Sequence, residues 1–87
     1  MNKRIYDAPW FIYIAECGDG TLYSGIARDT DRRISDHNRT NRCRYTRSRK
    51  PVKLVYKEKH ADHNAAARRE AEIKKLSRKE KLELIGG

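Results

Sequence analysis

Tyrosine, arginine and histidine side chains fall where a short hairpin and the segment after it could bring them together. Tyr13 and Tyr23 lie on two apolar segments joined by a short turn, so their phenols are expected on adjacent strands. Arg33 and His37 are four residues apart, a spacing that points both side chains to one side of a helix. A guanidinium pairs with phosphate oxygens through parallel hydrogen bonds, and an imidazole exchanges protons near neutral pH. Together these groups suit chemistry at a phosphate.

A carboxylate would complete such a site, because a hard divalent cation bound through one carboxylate polarises a phosphate. Glu70 and Glu72 are the candidates on the predicted second helix. Both flank its apolar stripe at similar angles, so helical geometry does not decide between them. Glu70 is also placed to form an ordinary i,i+4 ion pair with Lys74.

The elements that carry these groups follow from the patterning of the chain. Apolar and β-branched runs predict strands at Trp10 to Glu16 and Leu22 to Ala27, with a turn at Asp19-Gly20 between them. On the second strand one face carries Tyr23, Gly25 and Ala27, and the other carries Leu22, Ser24 and Ile26. Asp29 or Thr30 is expected to cap a helix that runs to about Asn38. Ile34 is its only aliphatic residue, which indicates an exposed helix or one with a polar face toward the sheet.

The second half of the chain predicts one more strand and two more helices. The strand spans Lys53 to Glu58, and a helix over about Asp62 to Leu76 has its apolar stripe at Ala66, Ile73 and Leu76. Ser77 and Glu80 have capping-box spacing and predict a separate short helix, docked by Leu82 and Ile85 and ended by Gly86-Gly87. The order β-β-α-β-α-α predicts an α+β fold, a small three-stranded antiparallel sheet flanked by helices. We expect an N-terminal tail over 1–9 and one domain over 10–85.

Charge predicts a polyanionic partner. The 87 residues include 21 Lys and Arg against 12 Asp and Glu, for a net charge of +9. The segment from Arg39 to Lys50 has six basic residues and no acidic one. We predict that it follows phosphates and that its tyrosine stacks on a base, although a flexible solvated loop remains an alternative. Its candidate residues are Arg39, Arg42, Arg44, Tyr45, Arg47, Arg49 and Lys50.

Cysteine usage and hydropathy limit the class of protein. Cys17 and Cys43 are the only cysteines and are well separated, which favours reduced thiols. Neither they nor His60 and His63 have zinc-ligand spacing. No apolar run approaches the ~20 residues of a membrane span, so we expect a soluble cytoplasmic protein and no membrane partner.

Taken jointly, the motifs resemble the GIY-YIG nuclease core. The first triplet is Phe11-Ile12-Tyr13 and the second is Tyr23-Ser24-Gly25. Arg33 lies ten residues after Tyr23, and His37 lies fourteen residues after Tyr23, as in that family. The resemblance runs from Trp10 to Ile85. It is strongest to short, single-domain bacterial members, through the stretches Tyr45-Thr46-Arg47, Pro51 to Tyr56 and Ile73 to Arg78. Phe11 and Ser24 depart from the family triplets, and the asparagine that larger members carry after the glutamate helix has no clear counterpart.

The resemblance implies an endonuclease that uses one divalent cation, Mg²⁺ or Mn²⁺. Through the alanine four residues earlier it favours Glu70 as the metal ligand. It also implies catalytic roles for Tyr13, Tyr23, Arg33 and His37, with a tyrosine positioning water or acting as the base once Arg33, Lys74 and the metal lower its pKa. His37 would accept a proton from Tyr23 or contact the phosphate.

The resemblance further implies a nucleic-acid substrate, DNA more than RNA, in a setting such as repair or recombination. Gly25 would allow close approach of substrate or helix, and Lys74 would join the binding residues. The alternative is a non-catalytic nucleic-acid-binding module, with a ribosome-associated protein as a remoter option.

Overall fold

The first two strands form a tight hairpin because their turn satisfies its own polar groups. Gly20 takes a φ of 85°, a left-handed conformation that glycine adopts without steric cost. One carboxylate oxygen of Asp19 accepts hydrogen bonds from the Thr21 amide (3.1 Å) and hydroxyl (2.7 Å). The turn predicted at Asp19-Gly20 is therefore confirmed.

The protein is described here as a computed structural model that covers residues 9–86, so most of the predicted tail lies outside the described residues. Both hairpin strands have the predicted bounds, and the third strand runs two residues further than predicted. The elements are β1 (Trp10–Glu16), β2 (Leu22–Ala27), α1 (Thr30–Arg39), β3 (Lys53–His60), α2 (His63–Lys74) and α3 (Arg78–Gly86).

The three strands form one antiparallel sheet in the order β2-β1-β3, which confirms the predicted α+β class. In the register, Tyr13 on the central strand lies opposite Gly25 on β2, and Tyr23 lies opposite Ala15. β2 is thus an edge strand, and it carries Tyr23 and the glycine that faces Tyr13.

Helix caps fix where the helices begin. Asp29, one of the two predicted caps, accepts a hydrogen bond from the Arg32 amide at 3.0 Å and starts α1. Ser77 and Glu80 form the predicted capping box: the Ser77 amide donates to the Glu80 carboxylate (2.8 Å), and the Glu80 amide donates to the Ser77 hydroxyl (3.1 Å). Capping signals are local, which is why the sequence predicts these starts well.

Two details of the helical region differ from the prediction. α2 ends at Lys74 and not at Leu76, because the Lys75 and Leu76 amides bond to carbonyls three residues back and tighten the last turn. α3 docks through Leu84 and Ile85, whereas the predicted anchor Leu82 is 46% exposed. None of the helices within residues 9–86 is long and apolar enough to cross a membrane.

Each face of the sheet has its own core. On one face lies the tyrosine-side core, which α1 covers through Ile34. On the other lies the isoleucine-side core, which α2 supplies with Ile73 and α3 covers through Leu84 and Ile85. The buried members of the tyrosine-side core are Tyr13, Ala15, Cys17, Ala27 and Val52, and those of the isoleucine-side core are Ile12, Ile14 and Ile73.

Candidate active site

The Tyr13 ring leans across the edge strand over Gly25. A Cβ atom at Gly25 would lie 2.6 Å from the Tyr13 hydroxyl oxygen and 2.8 Å from Cζ, closer than real Cβ contacts allow. The space that the missing side chain leaves is therefore filled by the phenol. We predicted that Gly25 admits a substrate or a helix; the structure gives a different reason for the glycine, which is to let Tyr13 reach the β2 edge.

Tyr13 belongs to a buried hydrogen-bonded chain that ends in the segment from Arg39 to Lys50, called the basic segment below. Its hydroxyl lies 3.0 Å from Nε2 of His37, and Nδ1 of His37 lies 2.9 Å from the Thr46 hydroxyl. Burial, reinforced by the positive charge of Arg33, lowers the pKa of His37, so the ring is neutral at pH 7. Burial raises the pKa of Tyr13, so the phenol is protonated at neutral pH. The Thr46 hydroxyl donates a hydrogen bond to Cys43, which leaves it to accept from Nδ1 of His37 and leaves Nε2 to accept from the phenol. Nδ1 then carries the ring proton and donates to Thr46.

This arrangement differs from the predicted one in the partner of His37. We expected the imidazole to accept a proton from Tyr23 or to contact a phosphate. Both ring nitrogens are instead engaged, by Tyr13 and Thr46, and the residue is only 5% exposed. The Tyr23 ring lies edge-on to the imidazole with 5.3 Å between centroids. His37 therefore supports the site from below, and Tyr13 is its hydrogen-bonded partner.

Tyr23 is the more accessible phenol, and its hydroxyl lies by the Cys43 thiol. The pKa of Tyr23 is raised to about 12. Burial is the largest cause, and a hydrogen bond to Cys43 and the charge of Glu70 add to it. Burial alone would also raise the pKa of Cys43, but hydrogen bonds from Thr46 and Tyr23 bring it below its ordinary value. Cys43 thus links Tyr23 to Thr46, which ends the hydrogen-bonded chain from Tyr13 through His37.

Arg33 and Glu70 reach the same two tyrosines from helices on opposite faces of the sheet. Arg33 lowers the pKa of both Tyr13 and Tyr23 by its charge, and Glu70 raises both. α2, which carries Glu70, packs against the isoleucine-side face, and α1, which carries Arg33, packs against the tyrosine-side face. Tyr13 and His37 are hydrogen-bonded and the Tyr23 ring packs edge-on to His37. Arg33 and Glu70 are close enough for their charges to act on both phenols.

The structure also distinguishes Glu70 from Glu72, which helical geometry could not. Glu72 is 66% exposed and accepts a hydrogen bond from Arg69 at 3.1 Å. Arg69 in turn donates to Glu58 on β3, at the other edge of the sheet. The Glu70 side chain is only 22% exposed, with Lys74 at 3.4 Å. Of the two carboxylates, Glu70 is therefore the one whose charge acts on Tyr13 and Tyr23.

Part of the predicted effect of cations on the tyrosines is present in the protein by itself. The charge of Arg33 lowers the pKa of Tyr13 and Tyr23, but burial outweighs it at both. Lys74 pairs with Glu70 at 3.4 Å. Both tyrosines are protonated at neutral pH.

A single carboxylate suits a magnesium-like ion, since Mg²⁺ keeps several waters and uses one or two protein carboxylates together with substrate phosphates. Within residues 9–86 no group of three or more histidine, cysteine or acidic side chains could hold a metal. The donor set present is Glu70 alone, a hard oxygen ligand beside the tyrosines. That set fits a cation held partly by substrate and does not fit zinc.

The basic segment is packed against the site through its middle. Thr46 is fully buried, and Tyr45 lies against Tyr23 with 5.4 Å between ring centroids. The Arg49 guanidinium lies 4.2 Å from the centroid of the Tyr45 ring and pairs with Asp19 at 3.1 Å. The middle of the segment is therefore packed against the site, unlike the solvated loop that the sequence left open as an alternative.

These contacts divide the basic residues predicted to bind nucleic acid. Arg49 and Lys50 are engaged within the chain, Lys50 through a 2.9 Å hydrogen bond to Asn41. Arg39 pairs loosely with Asp36 at 3.5 Å. Among the described residues the remaining three make no salt bridge and are exposed, namely Arg42, Arg44 and Arg47.

Sequence reasoning missed three residues that build the site. Thr46 orients His37, Cys43 contacts Tyr23, and Asn38 fastens the end of the basic segment by pairing with both backbone groups of Val52, at 2.7 and 2.8 Å. Their one available signal was the family-like Tyr45-Thr46-Arg47 stretch, which identified the segment but gave no role to the threonine. Contacts between residues 9 and 14 positions apart leave no local pattern.

Comparison with known proteins agrees with this geometry. The model of the GIY-YIG catalytic domain matches residues 9–83. A UPF0213 protein of Desulfotalea psychrophila is 51% identical over 77 residues, covering 87% of this chain and 70% of its own length. A UPF0213 protein of Staphylococcus aureus is 47% identical over 75 residues, covering 86% and 92%.

A solved structure shows the same fold. The NMR structure of a UPF0213 protein from Bacillus halodurans superposes with a TM-score of 0.58 at 40% identity, over 90% of this chain and 83% of the other. These matches agree with the motifs and with the three-stranded sheet on which they lie. This chain belongs to the GIY-YIG family, whose members are generally endonucleases.

Proposed function

We propose that this protein is a metal-dependent endonuclease that hydrolyses phosphodiester bonds, with DNA as its substrate. The observation that carries the proposal is the cluster of Tyr13, Tyr23 and His37 beside a cavity that Arg33 and His37 line. The charge of Glu70 also acts on both phenols. A guanidinium, a carboxylate and two phenols at an accessible edge suit stabilisation of charge that develops on a phosphate.

Each side chain has a distinct proposed task. Arg33 is exposed and binds the phosphate through paired hydrogen bonds. Tyr23 positions the attacking water, since it is the more accessible phenol. The neutral Nε2 of His37 accepts the Tyr13 hydrogen bond and is the nearest place where a proton leaving the site through that phenol can rest.

Glu70 would hold the divalent cation. The Lys74 ammonium, which lies 3.4 Å from the Glu70 carboxylate, would have to move away for the cation to bind. When bound, such an ion supplies positive charge for the phosphate and leaving oxygens. The charge of Glu70 now raises the pKa of Tyr13 and Tyr23, so neutralising it favours ionisation of a phenol.

The test is a cleavage screen with EDTA as the metal-free control. Supercoiled, branched and single-stranded DNA, and RNA of matched sequence, are incubated with Mg²⁺ or Mn²⁺. We expect nicking that EDTA and Glu70→Gln abolish. Glu72→Gln is the matched control, because it removes the same charge from the same helix at the other sheet edge, and it should cleave normally. A preference for branched DNA would place the reaction in repair or recombination.

A binding-only module is the second candidate, and the raised tyrosine pKa values favour it. It predicts binding that falls with salt and depends on the exposed arginines Arg42, Arg44 and Arg47 but not on Tyr23 or Glu70. Absence of cleavage of every substrate with both metals, with such binding intact, would decide for the module. Cleavage that survives Glu70→Gln would refute the metal-ligand role.

A further inference from the structure

We propose that the N-terminal end of α1 carries a second phosphate subsite, formed by Arg28 and Arg32 beside Trp10. It would hold a phosphate of the nucleic-acid strand next to the one that Arg33 contacts. The inference rests on the proposed function for the identity of the strand, but its geometry comes from a separate part of the surface.

Two cavities meet at Arg33. One, of about 380 Å³, lies over His37 and Cys43 and belongs to the candidate active site. The other, of about 350 Å³, opens toward Trp10 and is bordered by Arg28 and Arg32. Arg33 and Asp36 line both. The two cavities are therefore neighbours along α1, so a phosphate bound in the second would lie next to one that Arg33 contacts in the first.

Trp10 holds one of these arginines ready for a phosphate. The Arg28 guanidinium lies 4.8 Å from the centroid of the indole ring, and His63 packs edge-on against the same ring at 4.7 Å. Stacking uses the flat face of a guanidinium and leaves its N–H groups free in the plane. Arg28 can therefore bind a phosphate without leaving the ring.

The charge balance of the cavity favours an anion. Three guanidinium groups border it, and within residues 9–86 none of the three makes a salt bridge. The three guanidinium groups exceed its two carboxylates by one charge, and each carboxylate already has a partner in the chain, although Asp36 holds its partner only loosely. Asp29 caps α1 and lies at the positive end of the helix, and Asp36 pairs with Arg39 at 3.5 Å. A strand phosphate would thus meet unpaired positive charge.

Trp10 also makes the subsite measurable, because it is the only tryptophan of the chain. Oligonucleotides are titrated in EDTA, so that no cleavage is needed, while tryptophan emission and the anisotropy of a labelled oligonucleotide are followed. We expect the emission to change in parallel with binding. Arg28→Gln and Arg32→Gln should each weaken binding about tenfold and reduce the salt slope by about one phosphate contact.

Arg68→Gln is the matched control, since Arg68 is exposed on α2 two residues from the buried Ala66 and so faces away from the sheet. It should bind as the native protein does. Arg28→Lys keeps the positive charge but loses the paired N–H donors of the guanidinium, so we expect an intermediate affinity. This variant also tests the subsite if Arg28→Gln folds poorly.

The outcomes separate this subsite from the proposed reaction. Normal binding by both arginine variants with no change in Trp10 emission would overturn the subsite and leave the endonuclease proposal untouched. Loss of binding by the variants, without cleavage of any substrate, would support the subsite and count against the endonuclease. Saturation of the Trp10 response by inorganic phosphate alone, with no added effect of a strand, would mean a free-anion site and would refute the strand assignment.

Discussion

The two faces of the sheet differ in the kind of residue that they bury. The isoleucine-side core buries three isoleucines completely and needs no hydrogen bonds to do so. The tyrosine-side face buries a phenol, an imidazole and a threonine hydroxyl that must satisfy one another. Burial of polar groups gains little stability and is costly when a partner is lost. One face therefore stabilises the domain, and the other holds a site in place.

The sharpest test of this contrast is Ile73→Ala, which leaves a cavity between α2 and the sheet. We expect the free energy of unfolding to fall by about 2–5 kcal/mol, measured by chemical denaturation, while activity per folded molecule is unchanged. Leu82→Ala is the control on the same side of the sheet, because the side chain is 46% exposed and should cost no more than about 0.5 kcal/mol. Equal losses would remove the distinction between core and surface.

Gly25→Ala tests the tyrosine side. The new methyl group would meet the Tyr13 hydroxyl and Cζ, so the ring must move away from the β2 edge. We expect cleavage to fall about 100-fold, the typical effect of a 1 Å misplacement in an active site. Gly86→Ala, where a Cβ meets nothing within 4 Å, is the control and should leave cleavage unchanged. Native activity in Gly25→Ala would show that Tyr13 need not lie where it does.

Thr46→Val keeps the shape of the buried side chain and removes its hydroxyl. The Nδ1–H group of His37 then lacks a partner, which should lower the free energy of unfolding by about 1–3 kcal/mol. Nitrogen NMR of the imidazole should also show a changed tautomer balance, a response that a packing defect alone does not give. Thr46→Ser should restore the native tautomer. If valine leaves the imidazole signals unchanged, Thr46 does not orient His37.

The smallest expected effect concerns a polar group on the apolar face. Ser24 is buried, lies opposite Ile14, and its hydroxyl has no hydrogen-bond partner. Ser24→Ala should therefore raise the free energy of unfolding by about 1 kcal/mol, seen as a higher denaturation midpoint, with cleavage unaltered. A loss of stability would mean that the hydroxyl contributes to this core.

Local signals explain what the sequence could foretell. The Asp19-Gly20 turn, the Asp29 cap and the capping box at Ser77 are short-range patterns, and all three are in the structure. Spacings along the strands and the first helix predict four of the candidate catalytic residues, Tyr13, Tyr23, Arg33 and His37, whereas only the family resemblance favours Glu70 over Glu72. What their spacing could not provide was the pairing of His37 with Tyr13 and Thr46, because the register of β1 and the path of the basic segment are long-range properties.

The choice of Leu82 as the anchor of α3 failed for a related reason. Periodicity identifies apolar positions on a short helix but does not say which of them meets the sheet, and Leu84 and Ile85 do so. Glu70 and Glu72 posed the same difficulty on α2. Tertiary charge contacts, with Arg69 and Glu58 at one edge and the tyrosines at the other, separate them.

The way in which the basic segment is fastened has a consequence for its kinetics. Asn38 closes one end on Val52, Gly18 donates its amide to the Arg49 carbonyl, and Thr46 fills the middle. Ordering a backbone residue costs about 1–2 kcal/mol of entropy, and here that loss occurs when the chain folds. A pre-organised surface of this kind loses little further freedom on association. If the segment binds a nucleic-acid strand, as proposed, the rate of capture should be governed by diffusion and charge steering and should fall as salt rises.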